Sequence, residues 1–267
     1  AVLGMGGFVS GPGGVAAWLT RRPLVIHEQN AAAGFTNRLL ARLARVVLQA
    51  FPGSFNASAD AETVGNPVRA EIAAVAEPAA RYAERHGQLR LLVLGGSQGA
   101  LALNKTVPAA LALLPSEKRP VVRHQCGERT IDAARAAYDG SAVDVELLPF
   151  IEDMATAYAW ADLVVCRAGA LTVAELCAVG LPAIFIPYPS AVDDHQTANA
   201  RPMADAGAAV IIQESELTAR SLSELLIDWL CARSELQSRA ARARTLSSPD
   251  ALQRISSICL ELAGATS

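Results

Sequence analysis

Short apolar runs alternate with amphipathic stretches along the whole chain, which is the signature of repeated βαβ units. Residues 23–27 (PLVIH) read as a strand, residues 34–45 as a helix, and residues 46–51 as a second strand. Residues 52–63 are rich in Ser, Asn, Ala and Asp and read as a loop. The Asn66-Pro67 step breaks regular structure and marks a domain boundary. A second series then begins. Strands are predicted at residues 89–94, 121–124, 143–147, 163–166, 183–186 and 209–212, with a helix at 101–114 and further helices between the later strands. About six strands is the complement of a doubly wound domain. Residues 217–263 read as helical, with Leu252, Ile255, Cys259 and Leu262 on one face of the last segment.

The first series is shorter, with about three strands. The chain also opens at Ala1 and enters Val2-Leu3-Gly4 directly. The expectation is a first domain that lacks its amino-terminal part. The resulting division is residues 1–69, residues 70–250 and a final helix over 251–267.

The chemistry gathers in the turns. The run Cys166-Arg167-Ala168-Gly169-Ala170-Leu171-Thr172-Val173-Ala174-Glu175 follows an apolar strand and opens a helix over 171–179, closed by Gly180. Such a turn aims free N–H groups and the positive end of a helix dipole at one point, where a diphosphate fits. Glu175, one turn in, could then reach a ribose hydroxyl pair. Thr172-x-x-Glu175 also matches a capping box, in which Glu175 only satisfies the helix itself. Both readings stay open here.

Gly95-Gly96-Ser97-Gln98-Gly99 follows another strand and resembles a dinucleotide fingerprint. A nicotinamide site would want an acidic residue at the end of the next strand, but that strand ends His124-Gln125, so nicotinamide is disfavoured. Both turns would open at the carboxyl edge of one sheet, and two convergent turns are more specific than either alone. Asp193-Asp194-His195 could suggest a metal, yet adjacent residues at a helix start point apart. A polar helix start is favoured, with Gln196 and Asn199 on one face, either suited to hydroxyls and an acetamido group or simply part of a capped surface helix. His27-Glu28-Gln29-Asn30 at a strand end suggests a second cleft wall. Phe35, Leu39, Leu40 and Leu43 beside Arg38, Arg42 and Arg45 make a basic amphipathic segment, either an ordinary core helix or one that lies on an anionic membrane.

Bulk properties narrow the classes. Over half of the chain (52%) is hydrophobic and only 5% aromatic, which suits strands covered on both faces. A net charge of −3 gives no global attraction for nucleic acid. Cysteines 126, 166, 177, 231 and 259 are odd in number and form no C-x-x-C pair, which fits a reduced compartment and argues against a structural zinc. No signal peptide is visible. The longest uncharged run, residues 176–192, is broken by Gly180, Pro182, Pro187 and Pro189, and falls short of the ~20 apolar residues that span a bilayer.

Six motifs occur in order: residues 4–12 (GMGGFVSGP), 27–30 (HEQN), 65–69 (GNPVR), 95–100, 166–175 and 194–199. In these the chain resembles the MurG family of bacterial peptidoglycan glycosyltransferases over essentially its whole length. The resemblance implies an α/β GT-B fold, two Rossmann-like doubly wound domains with the first incomplete. It implies an inverting transfer of N-acetylglucosamine from UDP-N-acetylglucosamine to undecaprenyl-linked lipid I, with no metal and no cofactor. By position it implies that Ala170, Leu171, Thr172, Val173 and Ala174 hold the diphosphate and Glu175 the ribose. Ser97 and Arg69 would reach the phosphate or ribose region, Ile151 would offer backbone contacts to uracil, and Gln196 and Asn199 would contact the sugar. Asn30 would lie on the acceptor-side wall. The last helix would cross back to the first domain. The protein would sit peripherally on the cytoplasmic face of the bacterial plasma membrane, against its anionic surface.

Two departures stand out. The family opens with a glycine-rich turn ending in a histidine proposed to activate the acceptor; that segment would lie before Ala1, so no base is named here. Ser190 stands where family members often carry His. A UDP-N-acetylglucosamine epimerase and a non-catalytic UDP-sugar-binding fragment are the alternatives.

Overall fold

The computed structural model describes residues 1–96, 99–189, 194–230 and 232–264. The first sheet is β1 (Val2–Gly4), β2 (Leu24–Glu28), β3 (Val46–Gln49) and β4 (Glu62–Thr63), all parallel and in that order. It has one strand more than the pattern predicts, because β4 is only two residues and lies at the end of the polar stretch read as a loop. Helices α1 (Ser10–Leu19) and α2 (Phe35–Leu40) connect its strands. The segment expected to be helical to residue 45 leaves the helix after Leu40. The N–H groups of Arg42 and Leu43 bond to carbonyls three residues back, and the Arg45 N–H reaches the Leu24 carbonyl at 2.7 Å, which delivers the chain into β3.

Two short helices, α3 (Ala70–Ala73) and α4 (Pro78–Ala83), lead to the second domain. It alternates β5 (Arg90–Leu94), α5 (Leu101–Ala112), β6 (Val121–Gln125), α6 (Ile131–Tyr138), β7 (Val145–Leu148), α7 (Met154–Trp160), β8 (Leu163–Cys166), α8 (Ala170–Val179), β9 (Ala183–Phe185), α9 (His195–Asp205) and β10 (Ala209–Ile211). The strands are parallel in the order β10-β9-β8-β5-β6-β7. Chain order reverses between β5 and β8, which makes their carboxyl ends the crevice where open α/β sheets take ligands. Leu91, Leu92, Val93, Leu163, Val164 and Val165 have no exposed surface, as strands covered on both faces require.

The helical tail divides into α10 (Ala219–Leu230), α11 (Arg233–Arg244) and α12 (Ala251–Ala263). The first two pack on the second domain, whereas α12 lies on the first sheet, with Ile255 and Ile258 against Val25 and Leu48. Its buried stripe runs through Ala251, Ile255 and Ile258. Leu252, expected on that stripe, is exposed, since it stands one position off the 251-255-258 line. Arg254 also forms a two-pronged pair with Glu62, at 2.7 and 3.0 Å.

Helix α8 is held firmly at its far end. Gly180 closes it with φ at 66°, and a Cβ there would come within 2.5 Å of Pro78 and 2.9 Å of the Ala240 carbonyl. Arg81 is buried and donates to the carbonyls of Val179 (3.0 Å) and Gly180 (2.7 Å). Burial lowers its pKa to about 10, so it stays cationic at neutral pH and complements the negative end of the helix. Arg81→Met should therefore strand two buried carbonyls and lower the stability of the second domain by ~2–3 kcal/mol, read from urea unfolding. An unchanged midpoint would show that this cap contributes nothing.

Candidate active site

Strand β8 delivers the chain into the Arg167-Ala168-Gly169 turn. Gly169 is the N-cap of α8, with extended backbone angles and no side-chain cap bond. The first-turn N–H groups of Ala170, Leu171 and Thr172 have no partner within the helix and are left for a ligand. They open on a space of ≈ 550 Å³ whose far side is Met5 and Gln29 of the first domain and Pro67 of the linker.

Placing the N-cap at Gly169 removes the capping-box reading of Glu175. Thr172 is the third helical residue, not the cap, so Thr172-x-x-Glu175 is not a capping box. Glu175 instead accepts from the Tyr158 hydroxyl at 2.9 Å, and Arg69 approaches its other oxygen at 3.4 Å. Burial first, and the Glu175 charge next, push the Tyr158 hydroxyl well above the usual tyrosine range, so it remains a donor. Arg69 is the N-cap residue of α3, half exposed, with Glu71 also at 3.8 Å.

The two glycine turns do converge. A cavity of ≈ 220 Å³ is lined by Leu94 and Gly96 from one, Cys166, Arg167, Thr172 and Glu175 from the other, and Gln125, Met154 and Tyr158 between them. Gly95 is required by close approach, since a Cβ would lie 2.9 Å from the Ala100 nitrogen. Gly99 has φ at 74°, and a Cβ would sit 2.5 Å from the Cys126 carbonyl oxygen. Gln125, at the end of β6, accepts from the Gly96 N–H at 3.2 Å. Ser97 lies outside the described residues, as do Ser190 and Asp193. Asp194 starts α9 and accepts from the Thr197 hydroxyl at 2.7 Å. Among the described residues no group of three or more His, Cys, Asp or Glu is placed to hold a metal.

On α9, the Gln196 carbonyl oxygen accepts from the backbone N–H groups of Ala168 (3.2 Å) and Tyr188 (2.9 Å). Asn199 is fully buried. Its oxygen accepts from the Ala31 N–H at 2.7 Å, and its nitrogen donates to the Ala168 carbonyl at 3.1 Å and to the Asn30 side chain at 3.2 Å. In this conformation Asn199 ties the domains together, and a sugar reaching its amide would have to displace the Asn30 contact. Ile151 packs into the core after β7, beside the half-exposed Phe150.

The first-domain wall divides by role. Glu28 is buried and accepts from Asn30 N (2.9 Å), Asn30 Nδ2 (3.1 Å), Gly34 N (3.0 Å) and Asn37 Nδ2 (2.8 Å), so it builds the loop rather than facing the cleft. His27 Nε2–H donates to the Gly65 carbonyl at 2.9 Å, and Nδ1 accepts from Gln29 at 3.2 Å. Gln29 and Asn30 are the two that reach the interdomain space. A larger cavity of ≈ 650 Å³ opens on the opposite side of α8, among Phe51, Val68, Cys177, Leu246 and Leu252. Its mostly apolar walls offer no cradle for phosphates.

Sequence reasoning did not single out Tyr158, Met154, Gln125, Met5 or Pro67 as lining residues. Tyr158 stands in a helical apolar pattern and reads as core; only its hydroxyl, meeting a partner 17 positions on, sets it apart.

Two parallel-sheet domains facing across a cleft, with a phosphate-type turn at the topological switch of the second, define a GT-B glycosyltransferase fold. The chain belongs to glycosyltransferase family 28. Residues 90–255 match that family's C-terminal domain, and residues 1–49 match its N-terminal domain. It is 62% identical over 261 residues to UDP-N-acetylglucosamine--N-acetylmuramyl-(pentapeptide) pyrophosphoryl-undecaprenol N-acetylglucosamine transferase of Alkalilimnicola ehrlichii, covering 98% of this chain and 73% of that protein. The crystal structure of Acinetobacter baumannii MurG superposes with a TM-score of 0.86 at 46% identity, covering 97% of this chain and 72% of the other. A UDP-GlcNAc 2-epimerase from Neisseria meningitidis, bound to UDP-GlcNAc, superposes with a TM-score of 0.68 at 12% identity over 97% of this chain and 75% of its own, a likeness of fold alone.

Burial holds His27 below the ordinary histidine pKa, outweighing the Gly65 bond and the Glu28 charge. A lowered folded pKa means the unfolded chain takes up the proton first. Stability from the neutral ring is full above pH ~6.5 and declines as pH falls below it. Burial pushes His124 down to about 4, which adds to the same acid slope. His27→Gln should flatten part of the decline in unfolding midpoint between pH 7.5 and 5; an identical slope would mean that the ring is not held neutral.

Proposed function

We propose that this chain moves N-acetylglucosamine from its UDP donor to the lipid-linked N-acetylmuramyl-pentapeptide (lipid I), giving lipid II. The observation that carries the reading is the uncapped amino end of α8 opening between the domains, with Glu175 beside it in a nucleoside-sized cavity. The similarity to the named transferase, over nearly the whole chain, supplies the sugar and the acceptor.

Negative charge grows on the diphosphate as the glycosidic bond breaks. The peptide N–H groups of Ala170, Leu171 and Thr172 and the positive end of α8 stabilise it, with Val173 and Ala174 completing the turn. Arg69 approaches from the linker, and Ser97 serves the same phosphate and ribose region. Glu175 takes the ribose hydroxyls, and the Ile151 backbone takes uracil. Gln196 and Asn199 meet the sugar, with Asn30 on the acceptor wall. A base must take the acceptor proton, and none is assigned among these residues.

A lipid-linked acceptor places the protein at a membrane surface. Among the described residues no helix is long and apolar enough to cross a membrane. Peripheral contact is supported by the paired helices α1 and α2, which expose Trp18, Leu19, Phe35 (69%) and Leu39, together with Phe8 (86%) in the turn before α1. Arg21, Arg22, Arg42 and Arg45 are exposed on the same segments. Apolar anchors among arginines suit an anionic surface, the cytoplasmic face of a bacterial plasma membrane.

Glu175→Ala should raise the dissociation constant for UDP by ~10-fold or more, from loss of a charge-assisted hydrogen bond of ~1.5–3 kcal/mol. Calorimetry with UDP checks it, and an unchanged affinity would remove Glu175 from the site. The parent chain should float with anionic vesicles at low salt and be released at high salt, while the Trp18→Glu/Phe35→Glu variant should stay behind. A parent that never floats would reject the membrane surface.

A further inference from the structure

We propose that Tyr158 is a positioning residue for nucleoside recognition, holding the Glu175 carboxylate in the rotamer that receives the ribose hydroxyls. The inference rests on the ribose role given to Glu175 above. Tyr158 lies in the last turns of α7, is 1% exposed, and packs in the core with Val173, Leu176 and Cys166. Its ring therefore cannot follow Glu175 if that side chain moves. α7 is itself fixed at its start, where Asp153 accepts from the Thr156 N–H at 2.9 Å and from the Thr156 hydroxyl at 2.6 Å.

Glu175 needs such a restraint. It has three rotatable bonds and stands on the second turn of α8, where its carboxylate could turn toward solvent or back toward the helix. Tyr158 holds one oxygen from the core at 2.9 Å, and Arg69 meets the other at 3.4 Å from a half-exposed side chain on the linker. The two contacts are unequal. The phenol belongs to the core and has only its hydroxyl to offer, whereas Arg69 also has Glu71 within 3.8 Å. Each carboxylate oxygen has two lone pairs, so one bond from Tyr158 leaves acceptor capacity for a diol. The phenol hydrogen has no such freedom, because Glu175 is its partner in a cavity also lined by Gln125, Met154 and Thr172. Nucleoside binding then meets a carboxylate already ordered, and less side-chain entropy is lost.

The test is a thermodynamic cycle by calorimetry on this chain, with UDP and 2′,3′-dideoxyuridine diphosphate as probes. The parent should prefer UDP. Tyr158→Phe, which keeps the ring, should weaken UDP by roughly 3- to 10-fold and leave the dideoxy analogue unchanged. In a Glu175→Ala background, Tyr158→Phe should have no further effect on either ligand. If Tyr158→Phe keeps the parent's preference while Glu175→Ala loses it, the positioning role is wrong and the ribose contact stands. If Tyr158→Phe weakens both ligands alike, or acts equally in the Glu175→Ala background, the hydroxyl is merely structural and the inference falls. If Glu175→Ala itself keeps the preference for UDP, the ribose assignment falls and takes this inference with it.

Discussion

Everything in the cleft depends on peptide N–H groups that the helix α8 cannot satisfy for itself. Every α-helix leaves such groups at its amino end, and most proteins cap them with a serine, threonine or aspartate. Here the cap is Gly169, which has no side chain to offer. The positive end of the helix is thereby kept open, and the cost is met elsewhere: Gly180 and the buried Arg81 secure the carboxyl end. A helix tied at one end and open at the other is a fixed electrostatic device. It does not have to reorganise when charge arrives.

The second constraint is that the open end must face the other domain. Asn199 does much of this work, joining Ala31 and Asn30 of one half to Ala168, the residue before the cap. His27 ties the end of β2 to the linker carbonyl of Gly65, and α12 returns to cover the first sheet. These contacts come from residues far apart in the chain, and they set the distance across which donor and acceptor must meet.

The fold was largely legible in the order of apolar runs. Strands covered on both faces are continuous in apolar character, and all six runs of the second domain form the six parallel strands. Strand β4 was not legible, because Glu62–Thr63 is too short to show any period. The buried stripe of α12 was placed partly off, with Leu252 counted in and Ile258 missed, because a one-position error rotates a helix by about a quarter turn. In the cleft, His27-Glu28-Gln29-Asn30 read as one polar cluster. Burial then separates it, with His27 and Glu28 facing inward and Gln29 and Asn30 outward, as alternation at a strand end cannot specify once the chain enters a loop.

By itself the sequence determined where strands end and glycine turns begin, because those follow from local sterics and from hydrophobic period. It also determined that the turn before α8 carries a glycine at the helix start, which is a local fact. Whether Glu175 meets its own helix end or side chains from distant segments was decided only in three dimensions. That choice depends on a phenol from α7 and a guanidinium from the linker, and hydrogen bonds between distant segments leave no period in a sequence.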